Sequence, residues 1–159
     1  MKHLPKHLRQ RWRYLGVAIE TWPDAAFGRR DFQRELWYAA QNLFGDAGSA
    51  DLDMTVLRFD LADSDGAAVV RTRRDEEPRA RAALACVAAV DGDPVGIRVR
   101  GVSGTVRACE ENYIHRRREP PDQRHVAFED AEEPAVARDG KVDVRTPEGY
   151  SGATTLDFQ

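Results

Sequence analysis

From Trp12 to Glu20 the side chains alternate, with Leu15, Val17 and Ile19 pointing one way and Tyr14, Gly16 and Ala18 the other. That period of two predicts a half-buried strand. After TWPDAAFG the period lengthens. Phe32, Leu36, Ala40, Leu43 and Phe44 recur at spacings of three and four, which predicts an amphipathic helix over 29–44 with Gly45 at its C-cap. Alternation returns over 53–61, with Leu57, Phe59 and Leu61 inward, and ADSDG turns the chain into a further strand at 67–74. Asp75, Glu76, Glu77 and Pro78 are the acids and proline expected in a helix's first turn. The helix they open should run over 78–90 and bury Ala83, Leu84, Val87 and Ala88 until DGDP stops it. VGIRVRGV, 95–102, reads as a fourth strand. Val106, Cys109, Tyr113 and Ile114 then show helical spacing, with His115 and Arg116 to Arg118 where cations favour a helix C-terminus.

The order is therefore βαββαβ with a helix after it. This predicts an α+β, ferredoxin-like or RNA-recognition-motif-like sandwich: a four-stranded antiparallel sheet, two helices on one face and an added C-terminal helix. A chain of 159 residues suits one such domain with extensions. We divide it into a basic arm at 1–11, the domain at 12–118 and an acidic, flexible tail at 119–159. From Pro120 on, nine acids face four basic residues and no helical stripe appears. A short hairpin around Asp139-Gly140 is the one element expected there.

Charged residues make up 32% of the chain, and only Lys2, Lys6 and Lys141 among its 24 basic residues are lysine. An Asp-rich, Lys-poor surface with net charge −3 fits adaptation to high salt, or simply a GC-rich genome. Cys86 and Cys109 form no CxxC pair, so neither a disulfide framework nor a zinc ribbon is expected. No apolar run suits a membrane span or a signal peptide, which places the protein in the cytoplasm without a membrane partner.

With both helices on one face, the other face should stand open and carry Tyr14, Arg58, Arg71, Arg73, Arg98 and Arg100. Guanidinium groups pair with phosphate in a bidentate fork, so the cluster suits nucleic acid; a solvated face or a protein interface balanced by acids fits the pattern equally. GAAVVRTR, 66–73, lacks the stacking aromatics of an RNA-recognition motif, which argues against sequence-specific single-strand reading. An acylphosphatase would need an asparagine that MTVLRFD lacks. His3, His7, His115 and His125 converge on no acid or cysteine, and no metal site is expected. Gly101-Val102-Ser103-Gly104 departs from the G-x-S-x-G nucleophile elbow. Capping of the last helix by Ser103 or Thr105 is the simpler reading of that joint, with the N–H groups of Gly104 and Thr105 as a second use for phosphate.

The same joint, VRGVSGTVRACEENY, together with LPKHLRQRWRYLGVAIE and FQRELWYAAQNLFGDAG, resembles the archaeal ribonuclease P protein component 2 family. The resemblance covers residues 4–116 and leaves out the tail. It implies a noncatalytic subunit of the endoribonuclease that removes the 5′ leader of precursor transfer RNA, a haloarchaeal member given the composition. It implies as partners the ribonuclease P RNA, protein component 3 in a two-plus-two assembly and other protein subunits, with precursor transfer RNA as substrate of the complex. The chemistry and its Mg²⁺ would belong to the RNA, and the protein itself would bind no cofactor. The RNA-contact candidates are Arg11, Arg13, Arg58, Arg71, Arg73, Arg98, Arg100, Ser103, Gly104, Thr105 and Arg107; none is catalytic. The alternative is a ferredoxin-like ligand-binding or dimerisation module using the arginine face.

Salt sets a limit on the electrostatics. With about four phosphates contacted, affinity falls by roughly a thousandfold per tenfold rise in salt. Hydrogen bonds, bidentate arginines and assembly with partners must therefore supply the remainder.

Overall fold

The strand opened by Trp12 lies at the centre of a sheet rather than at its edge. The computed structural model describes residues 3–115 and 120–158. Lys2 and Arg116 to Arg118, part of the basic-arm and helix-end expectations, lie outside them. The chain is an α+β protein that divides into two compact units, Met1–Arg117 and Arg118–Gln159.

In the first unit β1 (Trp12–Thr21) pairs antiparallel with β3 (Asp65–Arg73) on one side and β5 (Asp93–Ser103) on the other. With β2 (Thr55–Ala62) and the two-residue β4 (Ala89–Val90), the order is β2-β3-β1-β5-β4. Leu15, Val17 and Ile19 of β1 and Val70 of β3 are fully buried together with Phe32, Leu36, Ala40 and Leu52 of α1 (Arg29–Leu52) and Ala80, Ala83 and Leu84 of α2 (Glu77–Ala85). At roughly 1.5–3 kcal/mol for each large side chain taken out of water, this cluster is the main stabilising force of the unit.

Several expectations change. The helix ends its first segment at Gly45, whose φ of 73° and ψ of 177° break the α geometry, but resumes and runs to Leu52. Leu43 is exposed although its helical angle places it in phase with Phe32, Leu36 and Ala40. On β2 a bulge at Leu57 puts Val56 opposite Val70 and Arg58 opposite Val69, so Val56 takes the core position expected of Leu57. The second helix stops at Ala85 instead of reaching 90. Asp91 and Gly92, with φ of 51° and 86°, form a tight hairpin turn of the primed kind that makes residues 89–90 an additional strand and leaves Ala88 exposed.

The largest correction concerns the sheet's second face. Gly16, Ala18 and Val69 point away from α1 and α2, yet Ala18 and Val69 are buried. The helical segment Val106–Ile114 lies over that face, with Tyr113 against Gly16, so β1 is covered on both sides.

The second unit is a four-stranded antiparallel meander where the sequence reading expects a flexible tail. Its strands are β6 (Asp122–Phe128), β7 (Ala131–Arg138), β8 (Lys141–Thr146) and β9 (Gly149–Thr154), joined in chain order. Asp139 and Gly140 form the expected hairpin turn, and Glu129-Asp130 forms another. Val126, Ala135, Val142 and Val144 make a small core with Phe128 and Phe158 around it. These apolar residues are few and separated by charges, which lowers the mean hydropathy, but their period of two collects them on one face.

Candidate nucleic-acid interface

Thr105 has the extended backbone of an N-cap, and its Oγ1 accepts from the Ala108 N–H at 3.2 Å. A short helix, α3 (Val106–Cys109), follows and continues as a π-helical turn over Glu110–Ile114. Tyr113 then lies across Gly16 and Gly101, which are paired in register on β1 and β5. A Cβ on Gly16 would come within 2.5 Å of Tyr113 Cβ, and one on Gly101 within 2.2 Å of Tyr113 Cζ. The Arg100 Nη1 donates to the Tyr113 carbonyl at 2.8 Å and ties down the far end of the segment. Cys109 is buried beneath it, and burial, with a smaller push from Glu110, raises its thiol to about 11. It stays protonated and is no nucleophile.

This geometry sorts the joint's residues. Gly101 is the packing glycine. Gly104 is exposed, lies outside the left-handed region, and has only Arg13 Nη1 within 4 Å of a would-be Cβ, at 3.8 Å. Thr105 is the cap, and Ser103 is the last residue of β5.

Most arginines expected on an open face are engaged within the chain. Arg58 Nε meets Glu110 at 3.1 Å, Arg98 meets Glu20 at 3.4 Å and Arg73 meets Asp53 at 3.5 Å. Arg107 meets Glu111 one helical turn on, with Nε and Oε1 2.8 Å apart. Arg13 lies in register with buried Thr72, on the α1–α2 side, and meets Glu77 at 3.5 Å. Arg11 is exposed just ahead of β1, its carbonyl accepting from the Arg74 N–H. Arg71 differs from the paired set: its guanidinium stacks over the Trp12 ring, 3.9 Å from the centroid. Solvent-exposed ion pairs contribute about 0–1 kcal/mol, so Arg58, Arg98 and Arg107 can exchange their carboxylates for another anion at small cost.

The structure thus brings Arg58, Arg71, Arg98 and Ser103 to one face and sets Arg13 on the other. The acids Glu20, Asp53 and Glu110 escaped the sequence reading because they lie far along the chain from the arginines they meet. Tyr113 had a readable signal, since Gly16 and Gly101 each interrupt an otherwise well-filled strand.

Comparison with known proteins adds an independent line. Residues 13–114 match the model of the Rpp14/Pop5 family. The chain is 61% identical over 161 aligned positions to ribonuclease P protein component 2 of Haloarcula marismortui, covering 100% of both chains. It is 32% identical over 114 residues to ribonuclease P protein component 2 of Methanosarcina mazei, a match covering 72% of this chain and 93% of that one. A chain in the cryo-EM structure of yeast ribonuclease MRP superposes with a TM-score of 0.46 and 16% identity, over 63% of this chain and 79% of that chain.

Proposed function

The chain belongs to the Rpp14/Pop5 family as a protein subunit of the ribonuclease P ribonucleoprotein, and we propose that it works there by contacting RNA through the sheet face beside its C-terminal helical segment. The observation that carries the assignment is the full-length identity to a ribonuclease P protein component 2. We read the first unit as a ferredoxin-like fold whose second face is covered by an added helix, acting in the cytoplasm.

In this reading the catalytic RNA, with its Mg²⁺, performs the hydrolysis that matures the 5′ end of precursor transfer RNA. The polypeptide supports that RNA together with protein component 3 and further subunits. Arg58, Arg71, Arg98 and Arg107, with Arg11 ahead of the sheet, are the groups proposed to meet phosphate. The internal ion pairs support a contact that is weak for non-specific RNA, since each arginine must first give up its acid.

Reconstitution tests the reading. The chain alone, with precursor transfer RNA and Mg²⁺, should give no specific cleavage, whereas adding it to the catalytic RNA and the other subunits should raise 5′ processing. Specific 5′ cleavage by the chain alone overturns the noncatalytic role.

A further inference from the structure

Register places four polar side chains in one cross-strand row on the sheet face away from α1 and α2. Thr55 of β2 is paired with Arg71 of β3, Arg71 with Tyr14 of β1, and Tyr14 with Ser103 of β5. The adjacent row toward β1's C-terminal end is Val56, Val70, Leu15 and Val102, which face the core, so the polar row faces outward. All four side chains are half-buried. Among the described residues none of the three hydroxyls has a hydrogen-bond partner, and Arg71 has neither a hydrogen bond nor an ion pair, only the Trp12 ring beneath it. Arg58, Arg73 and Arg98, by contrast, each have a carboxylate. The row contains no acid.

We propose that this row of Thr55, Arg71, Tyr14 and Ser103 is a binding site for the sugar–phosphate backbone of an RNA strand. The proposal rests on the RNA-facing reading above and names the site within it. Stacking on Trp12 fixes the plane of the Arg71 guanidinium, which lowers the conformational cost of a bidentate contact to phosphate. The same stack covers that face of the indole, so Trp12 has no free surface there for a base. Hydroxyl groups on either side both donate and accept, which suits phosphate oxygens and ribose 2′-hydroxyls alike. Three inter-strand intervals give the row a span of roughly 14 Å, enough for a few nucleotides. The paired arginines nearby keep the field modest, so contact here depends on geometry more than on charge.

The test measures affinity of the full chain for in vitro transcribed ribonuclease P RNA across a salt series, with Arg71→Gln, Tyr14→Phe and Ser103→Ala, each checked for an unchanged melting midpoint. Arg71→Gln should weaken binding by about tenfold or more and reduce the slope of log affinity against log salt by roughly 0.7–0.9, the signature of one lost phosphate contact. Tyr14→Phe and Ser103→Ala, which keep the charge, should each weaken binding about two- to tenfold at unchanged slope. If wild type binds and all three variants match it in affinity and slope, the site is overturned while the RNA-facing reading stands. If wild type itself does not bind, the underlying reading fails. If the variants keep RNA affinity and lose a copurifying protein subunit instead, the row is a protein contact and the proposal is overturned.

Discussion

Tyr113 lies over Gly101 so closely that any side chain at 101 would occupy the space of its ring. The same tyrosine covers Gly16 on the neighbouring strand, so one aromatic from the end of the first unit is seated by two glycines paired across the sheet. The segment that closes the sheet's second face is thereby tied to the strands it covers.

Gly101→Ala and Gly16→Ala should each destabilise the first unit by about 1–3 kcal/mol, because the added methyl displaces Tyr113. Gly104→Ala should stay within about 0.5 kcal/mol, since its Cβ would meet nothing closer than 3.8 Å. Thermal or urea unfolding of the three variants checks the ranking. Combining Gly101→Ala with Tyr113→Ala should cost less than the sum of the two, a non-additivity that a mere backbone effect at Gly101 would not produce.

The two thiols should differ sharply in reactivity. Cys86 is exposed, whereas Cys109 is buried with its thiol raised to about 11. At pH 8 only about a thousandth of Cys109 would be thiolate even if it were accessible. Alkylation of the native protein should therefore stop at one equivalent, with the second appearing on unfolding. Rapid labelling of both sites would show that the helical segment opens readily.

Glu110→Gln should release Arg58 from its 3.1 Å ion pair and leave stability within about 1 kcal/mol. Affinity for RNA should rise and fall off more steeply with salt, as one more cation becomes available. Filter binding over a salt series measures this. Equal or weaker binding would mean that Arg58 does not reach the RNA.

A chain ending at Arg117 should keep a cooperative unfolding transition close to the full-length midpoint for the first unit, because the described core of that unit is built from Leu15 to Val102. The second unit alone, with a core of four buried residues and no disulfide, should be marginal or unfolded, as expected of so short a chain. Calorimetry of the full and shortened chains separates the two transitions.

The sequence by itself determined the elements of the first unit and their order, apart from the two-residue β4. Periods of two and 3.6 are local properties of backbone geometry and burial, so Leu15, Val17 and Ile19, or Phe32, Leu36 and Ala40, announce their core faces without help from distant residues. Turn chemistry was legible for the same reason at Asp139-Gly140, though at Asp91-Gly92 it made a hairpin where only a helix stop was read. Tertiary structure alone decided how the arginines are used. Arg58 meets Glu110 and Arg98 meets Glu20 because strand order and the fold-back of the last helical segment bring together residues 52 and 78 positions apart. A bulge at Leu57 gave Val56 the inward position that alternation assigns to Leu57, while Phe59 and Leu61 stay inward. The sparse valines of residues 122–146 became a core only when four strands aligned them. In each case the deciding energy is a long-range pairing, whose partners no local pattern specifies.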